Sequence, residues 1–330
     1  MGAQTHAATS QVGREPWLRK LDFLWLEVTS KCNLKCTHCY ADSGPSLPLV
    51  QGMSYDNWRD VLKQAFALGC RSVQFIGGEP ALCPDLPRLI RDARKIGFDL
   101  IEVYTNGTIL SPALRESLVK EEADLAFSIY GSRPDVHDAV TGRSGSFAKT
   151  LDGIRWALNA GLNVRASIIE MASNSEDIRA TKALLRKLGV RSIRVDPVRG
   201  IGRGSVLVSA NSLNPMDELC GQCWRGKLAV DPSGNVFPCV FSRFCQVGHV
   251  SQSLASILQS KTLYSFRKEV WMTNGKGCAP TRTLKTTKRK PKPAGGCAPT
   301  RQKPKPAGGC APTRTRPKAG CAPTRGGRRP

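Results

Sequence analysis

Three cysteines in one short segment are the residues of this chain best suited to metal chemistry. Cys32, Cys36 and Cys39 follow an apolar run at 23–28 and have a C-x3-C-x2-C spacing. Cysteine thiolates hold both zinc ions and iron–sulfur clusters, and the usual 4Fe–4S cluster has four such ligands. Three thiolates on one loop would leave one iron open to a small molecule, which favours catalysis over electron storage. On spacing alone, a cluster and a zinc site remain equal alternatives.

The elements that must position this loop alternate between short apolar runs and amphipathic helical patterns. Strands are predicted at 23–28, 72–76, 100–104, 125–129, 164–170 and 192–195. Helices are predicted between them, around 58–66 and at 86–95, 111–120, 147–158 and 175–188, with Ser146 as the N-cap of the fourth. Repeated strand–helix units predict an α/β fold with a parallel sheet and right-handed crossovers, either doubly wound or closed into a barrel.

Polar and glycine-rich residues fall directly after the predicted strands. Besides the cysteines, they are Gly77-Gly78-Glu79-Pro80, Thr105-Asn106-Gly107, Tyr130-Gly131-Ser132 and the segment Arg-Gly-Ile-Gly-Arg-Gly at 199–204. In a β/α barrel these loops converge on one face, where active sites are built. Paired glycines also allow the backbone to approach a ligand closely. The sequence therefore predicts a site at the carboxyl ends of the strands.

The cysteine loop and the glycine turn together resemble a known family. The sequence from Cys32 to Tyr40, with Gly77-Gly78-Glu79-Pro80 after the next strand, is similar to radical S-adenosylmethionine (SAM) enzymes. The resemblance covers about residues 21–200 and implies a partial (β/α)6 TIM-like barrel. It implies that the three cysteines hold a 4Fe–4S cluster whose open iron binds SAM. An electron from the cluster would cleave SAM, and the resulting 5′-deoxyadenosyl radical would abstract a hydrogen atom from a substrate.

The resemblance also implies which residues contact SAM. The glycine turn would receive the SAM amino group, the histidine would lie near adenine, and polar residues after later strands would contact the ribose or carboxylate. The residues concerned are His38, Tyr40, Gly77, Gly78, Glu79, Pro80, Asn106, Ser128 and Arg143. The alternatives are a plain Gly-Gly turn, a solvent-facing imidazole, a tyrosine packed on the barrel rim, and a solvated arginine.

A second group of cysteines lies near the C-terminal end of the predicted globular part. Cys223, Gly234 and Cys239 have the spacing of the opening C-x9-15-G-x4-C of a SPASM module, and Cys220 and Cys245 lie close by. The later cysteine pattern of a full SPASM module is absent, so the resemblance implies one auxiliary Fe–S cluster, held by some of these four thiolates. Zinc in the same thiolates is the alternative, and Cys278 is a further candidate ligand.

Composition divides the chain into four regions. They are a polar leader at 1–20, the barrel at 21–204, a SPASM/twitch-like auxiliary-cluster domain at 205–275, and a basic tail at 276–330. The tail has sixteen Lys or Arg and no Asp or Glu, which leaves +7 of the net charge of +23 for residues 1–275. It repeats Gly-Cys-Ala-Pro-Thr-Arg and is predicted to be disordered, because it has almost no large apolar side chains.

The N-terminus lacks the apolar region of a secretory signal, and no apolar stretch approaches the length of a membrane span, so a cytoplasmic location is predicted. Thirteen cysteines in a reducing compartment indicate metal ligands rather than disulfides. The sequence therefore predicts a radical SAM enzyme that modifies a ribosomally made peptide or protein side chain. Its electron donor would be a flavodoxin or ferredoxin. The alternatives are an RNA-modifying radical SAM enzyme guided by the tail, and a non-enzymatic zinc-binding protein.

Overall fold

One continuous sheet organises the computed structural model, which describes residues 16–50, 52–208 and 214–274. Its strand order in these residues is β6-β5-β4-β3-β2-β1-β7-β8-β9. The strands are β1 (Phe23–Glu27), β2 (Ser72–Ile76), β3 (Leu100–Thr105), β4 (Asp124–Ser128), β5 (Val164–Glu170), β6 (Ser192–Pro197), β7 (Lys227–Val230), β8 (Asn235–Phe237) and β9 (Gly248–His249). The predicted tail, with its repeats and Cys278, lies outside the described residues.

The first six strands pair in chain order, and every pairing among them is parallel. Helices connect them, as the alternating pattern predicts for a partial (β/α)6 barrel. The helices are α1 (Tyr55–Ala67), α2 (Leu86–Ile96), α3 (Pro112–Lys120), α4 (Pro134–Thr141), α5 (Ser146–Asn159), α6 (Ile178–Lys187), α7 (Leu254–Gln259) and α8 (Lys261–Asn274). The predicted parallel α/β architecture is confirmed. Within the described residues, no helix is both long and apolar enough to cross a lipid bilayer.

Strand β1 separates two environments by the alternation of its side chains. Leu24 and Leu26 are fully buried in the main core, which the barrel strands share with the surrounding helices. Trp25 and Glu27 point to the opposite face. Trp25 packs against apolar residues of the C-terminal part of the chain, and Glu27 is 3% exposed. The interior face of β1 is therefore where a charged side chain is buried.

The barrel sheet continues into the predicted auxiliary domain. Strand β7 pairs in parallel with β1, with Phe23 opposite Lys227 and Leu26 opposite Val230. The sequence over 228–237, with the turn Asp231-Pro232-Ser233-Gly234 between two short apolar runs, predicts a hairpin. Strands β7 and β8 form this antiparallel hairpin, and β9 adds to it. The boundary at 204/205 stays a prediction, but the hydrogen-bonded sheet runs across it.

Two local predictions need correction, and one helix of the structure has no predicted counterpart. Ser146 is the first residue of α5 rather than its N-cap, which is Gly145 in a left-handed conformation (φ 77°). The capping oxygens come from Asp138, which accepts hydrogen bonds from the backbone amides of Gly145 and Phe147. The sequence from Ser253 to Phe266 predicts one short helix, but the structure has two, α7 and α8, because the backbone at Ser260 is extended. Helix α4 has no counterpart among the predicted elements.

The C-terminal helix fastens the start of the described chain to the sheet. Arg267 of α8 is fully buried, and its guanidinium donates hydrogen bonds to the carbonyls of Leu18 (2.6 Å), Lys20 (3.0 Å) and Lys227 (2.8 Å). The end of the predicted polar leader is thus packed in the interior, since Leu18 is also fully buried.

Replacing this arginine should destabilise the fold. Arg267→Met nearly keeps the volume of the side chain but leaves three carbonyls, one buried and two partly buried, without their donor. Each such group costs about 1–3 kcal/mol, so we expect a loss of at least about 3 kcal/mol in the free energy of unfolding, measured by urea denaturation. The matched control is Lys268→Met, one residue further along α8. Equal stability of the two variants would contradict this account.

Candidate active site at the carboxyl ends of the strands

The segment that carries the first three cysteines leaves β1 and is held by backbone hydrogen bonds on both sides. The amide of Cys32 donates to the carbonyl of Gly44 (3.1 Å). The amides of Lys35 and Thr37 donate to the carbonyls of Thr141 and Val140 at the end of α4, each at 3.0 Å. Helix α4, which the sequence did not reveal, is therefore one of the supports of this segment, which we call the cysteine loop (residues 31–44).

The three thiols lie where their ionised forms would repel one another unless a positively charged group lay between them. Cys32 is buried, and Cys36 and Cys39 are half-buried. Burial, with the nearby carboxylate of Glu79, raises the pKa of Cys32 to about 12. Burial and the other two thiols also raise the pKa of Cys36. Thiolates at these positions repel one another unless a cluster of irons neutralises them, so the donor set suits an iron–sulfur cluster.

The glycine turn packs directly on the strand-to-loop connection. The amide of Gly78 donates to the carbonyl of Thr29 (2.7 Å), and that of Glu79 donates to Lys31 (2.9 Å). A Cβ atom at Gly77 would lie 2.4 Å from the Thr29 oxygen, and one at Gly78 would lie 2.3 Å from the Lys31 oxygen. The paired glycines are therefore required by the close approach of this turn to Thr29 and to Lys31, the first residue of the cysteine loop.

Glu79 ties the glycine turn to the end of β3. Its buried carboxylate accepts hydrogen bonds from Thr105 Oγ1 (2.5 Å), the Asn106 amide (2.7 Å) and the Ala81 amide (3.0 Å). Burial raises the pKa of Glu79 to about 7, although these hydrogen bonds favour the ionised form. Pro80 is buried and begins a short 3-10 helix. The hydrogen bonds of the Glu79 side chain thus stabilise the fold, and its backbone amide binds the cysteine loop at Lys31.

Two of the predicted polar residues contact the cysteine loop. Asn106 Nδ2 donates to Asn33 Oδ1 (2.9 Å) and lies 3.9 Å from the sulfur of Cys32. Arg143 Nη1 donates to the Asn33 carbonyl (2.9 Å). Ser128 ends β4 and is paired in register with Ser167 of β5. The structure thus brings the first two together with the cysteines, while a role toward SAM stays a prediction for all three.

His38 and Tyr40 have different surroundings. His38 Nδ1 is buried with no hydrogen-bond partner among the described residues, and the ring lies edge-on to Tyr130 (4.7 Å). Burial and the charge of Arg203 lower the pKa of His38 to about 4, so the imidazole is neutral near pH 7. Tyr40 instead donates its hydroxyl to Glu27 Oε1 (3.0 Å). The neutral imidazole with an unused nitrogen suits a bound ligand.

The second group of cysteines is compact at three of its four members. The sulfur atoms of Cys223 and Cys239 are 3.1 Å apart. The Cys223 thiol has one hydrogen to donate. Donated to Cys220 it lowers the pKa of that thiol to about 5, and donated to Cys239 it lowers the pKa of that thiol instead. Cys245 packs against the apolar cluster that contains Cys223 and Cys239. Three adjacent thiols, of which Cys220 or Cys239 ionises readily, are a suitable donor set for a metal cluster.

Across 16–50, 52–208 and 214–274, no three or more His, Cys, Asp or Glu side chains surround a point where one metal ion would fit.

Two arginines missed by the sequence reasoning support the site. Arg243 forms an ion pair with the buried Glu27 of β1, and burial raises the pKa of that carboxyl. Arg203 binds the cysteine loop. The signals were present but weak: a glutamate inside the apolar run 23–28, an arginine between two cysteines, and the glycine-rich segment after β6. Glu27 and Arg243 also line a polar cavity of about 190 Å³ beside the glycine turn.

Family comparisons agree with this geometry. Residues 26–188 match the model of the radical SAM superfamily, and residues 214–279 match SPASM, an iron–sulfur cluster-binding domain. The chain belongs to the radical SAM superfamily. This radical SAM enzyme therefore uses a 4Fe–4S cluster and SAM, and its SPASM domain implies auxiliary Fe–S chemistry.

Individual relatives support the same assignment. The antilisterial bacteriocin subtilosin biosynthesis protein AlbA of Bacillus subtilis is 26% identical over 270 residues, which cover 72% of this chain and 59% of AlbA. A GTP 3′,8-cyclase of Pelotomaculum thermopropionicum is 31% identical over 194 residues, covering 56% of this chain and 58% of the cyclase. The radical SAM enzyme thus spans somewhat more than half the length of these two relatives.

Solved structures show the same fold. SuiB of Streptococcus suis bound to S-adenosylmethionine superposes with a TM-score of 0.64 at 15% identity, covering 76% of this chain and 68% of SuiB. SuiB bound to the precursor peptide SuiA gives a TM-score of 0.63 at 14% identity, covering 75% and 66%. The predicted partial barrel of the radical SAM enzyme is confirmed by this likeness.

The close contact at the glycine turn generates a test. Gly78→Ala would place a Cβ against the Lys31 carbonyl and displace the cysteine loop, so we expect the purified protein to hold less iron. Iron and sulfide are quantified after anaerobic reconstitution. Gly44→Ala is the control, because a Cβ there has open space and the residue also lies in the loop. Full iron content in the Gly78 variant would contradict the steric argument.

Glu79 generates a pH prediction. Because its pKa rises from 4.5 to about 7 on folding, the folded state holds the proton more tightly than the unfolded chain. Its contribution to stability is complete below pH 4.5 and is lost as the pH rises to about 7, by about 3 kcal/mol. Subtracting the Glu79→Gln denaturation curve from that of wild type should isolate this slope. The exposed Glu116→Gln is the control, and parallel pH curves for all three proteins would refute the assignment.

Proposed function

We propose that this enzyme modifies a ribosomally synthesised peptide or a protein side chain by radical SAM chemistry. Cys32, Cys36 and Cys39 would hold the catalytic 4Fe–4S cluster, which together with SAM supplies a 5′-deoxyadenosyl radical. The outcome would be a crosslink, an oxidation, a decarboxylation or an epimerisation. The protein's part is to position the cofactor and exclude water, because the cofactor carries the difficult chemistry.

The observation that carries the proposal is the contact between the two cysteine groups. Tyr40, next to Cys39, packs edge-on against Phe241, two residues beyond Cys239, with ring centroids 5.3 Å apart. The Glu27–Arg243 ion pair lies in the same contact region between the two cysteine groups. A second redox group beside the radical site suits a reaction that removes electrons from its substrate.

The substrate class is supported by the extent of the similarity to AlbA. That similarity covers 72% of this chain, more than the part matched by the radical SAM model, whereas the GTP cyclase covers 56%. A relative named for bacteriocin biosynthesis therefore shares sequence beyond the barrel. This favours a peptide over a nucleotide as the substrate.

The chain's own residues would have distinct roles. The backbone of Gly77, Gly78 and Glu79, with Pro80 behind it, would receive the SAM amino group. His38, with its unused Nδ1, would face the adenine. Asn106, Ser128 and Arg143 would contact the ribose or carboxylate. Tyr40 is the exception, since its hydroxyl already has Glu27 as a partner. We assign Tyr40 to the contact region between the two cysteine groups.

The second cysteine group would hold one auxiliary Fe–S cluster. Cys220, Cys223 and Cys239 are the main ligands in this proposal, with Cys245 as the nearby fourth. The cluster would supply an electron acceptor or a binding point for the substrate. A flavodoxin or ferredoxin would deliver the electrons that start the reaction.

The test uses the anaerobically reconstituted enzyme with SAM, dithionite and a synthetic peptide encoded by a small reading frame beside this gene. We expect 5′-deoxyadenosine together with a change in peptide mass, measured by liquid chromatography and mass spectrometry. Cys36→Ala should form no 5′-deoxyadenosine. Cys223→Ala should still form it and leave the peptide unmodified.

Iron analysis separates the two clusters. A variant with Ala at Cys32, Cys36 and Cys39 should hold about four irons fewer than wild type and keep the auxiliary iron. If SAM is cleaved equally with and without peptide and the peptide mass never changes, the peptide proposal is wrong. The superfamily assignment would survive that result.

A further inference from the structure

The Arg-Gly-Ile-Gly-Arg-Gly segment at 199–204 has no part in the function proposed above, although it follows β6 on the face that carries the site. It lies against the cysteine loop along its backbone. The amide of Arg203 donates to the carbonyl of Cys39 (3.0 Å). A Cβ at Gly202 would lie 2.5 Å from the same carbonyl oxygen, and one at Gly204 would lie 3.3 Å from that of His38. Small residues allow this contact.

The side chain of Arg203 makes the strongest contacts in this segment. Its Nε donates to the Cys36 carbonyl (2.8 Å), and its Nη2 donates to the Ser43 carbonyl (2.7 Å). These acceptors lie on the two sides of Cys39, so one planar group joins both halves of the cysteine loop. Two divergent N–H groups on a rigid plane are specific to arginine, because a lysine ammonium is a flexible point charge.

The charge of Arg203 is only partly compensated. The nearest carboxylate is that of Asp42, with Oδ1 3.9 Å from Nη1, and its side chain is 63% exposed. Solvent therefore screens that pair, while Arg203 itself is 24% exposed. The guanidinium donates to the Cys36 carbonyl, so its positive charge is held beside one of the three cysteines of the loop.

We propose that Arg203 is a positioning residue of the catalytic cluster, which fixes the cysteine loop through two carbonyls and makes the cluster easier to reduce. Reduction adds one electron to the cluster, and a fixed positive charge stabilises the more negative product. The electron comes from a low-potential one-electron donor, and in the experiment dithionite supplies it and is oxidised to sulfite. This inference rests on the proposed ligands Cys32, Cys36 and Cys39, and not on the identity of the substrate.

Three substitutions separate geometry from charge. Arg203→Lys keeps the charge and loses the planar pair of donors. Arg203→Gln keeps a donor and loses the charge, and Arg203→Met loses both. The matched control is Arg115→Met, because Arg115 Nε also donates to a backbone carbonyl, that of Leu110 (3.0 Å), far along the chain from the cysteines.

The measurements are iron content, thermal unfolding and the midpoint potential of the cluster, followed by electron paramagnetic resonance in the full-length reconstituted enzyme. To observe one cluster alone, all variants also carry Cys223→Ala. We expect the Gln variant to be about tenfold harder to reduce than the parent, a fall of about 59 mV for one electron. The Lys variant should keep the parental potential and hold less iron. The control should match the parent in both.

Each outcome has a consequence. A Gln or Met variant with the parental potential overturns the electrostatic part, and a Lys variant with full iron overturns the geometric part. Loss of iron from the Met variant, with an unchanged melting temperature, supports the geometric part. If the triple Ala variant at Cys32, Cys36 and Cys39 holds as much iron as wild type, the proposed ligands are wrong. If the triple Ala variant holds less iron than wild type, but the Arg203 variants keep the parental iron content and midpoint potential, only the inference about Arg203 is refuted.

Discussion

The structure of the site depends on one close backbone contact, between the glycine turn after β2 and the connection that leaves β1. Hydrogen bonds of 2.7 and 2.9 Å join Gly78 to Thr29 and Glu79 to Lys31. No side chain fits between these segments, since a Cβ at Gly78 would lie 2.3 Å from the Lys31 oxygen. The contact sets where Cys32 begins the cysteine loop. Glu79 then extends the same support to β3, so three neighbouring strands fix one loop.

The opposite side of that loop is held by elements that come later in the chain. The end of α4 binds it through the Val140 and Thr141 carbonyls, and the segment after β6 binds it through Arg203. A loop supported from four directions loses little further conformational freedom when a metal cluster binds. Preorganisation of this kind suits a reactive cofactor, because a ligand that moves by about an ångström also moves the cofactor that it holds.

The sequence predicted the elements and motifs that depend on residues close together in the chain. The bounds of β2 and β5 and the hairpin at 228–237 follow from alternation and turn residues, and these elements are present. The cysteine spacing and the glycine turn also stand out without a structure. Helix α4 has eight residues, too short for a clear period, and Ser260 breaks a helix through backbone geometry alone. Arg203 and Arg243 could not be assigned, because their partners lie 160 or more residues away in the chain.

The pairing of β7 with β1 has a consequence for how this enzyme can be divided. If the chain ended at residue 204, the row of amides and carbonyls along Phe23–Leu26 that now faces β7 would be open to solvent. Such an exposed edge, flanked by Leu24 and Trp25, is a template for adding a strand from another molecule and leads to aggregation. The part that contains β1–β6 is therefore not an independent unit. Evolution could exchange the C-terminal part for another only if the replacement also supplied a strand.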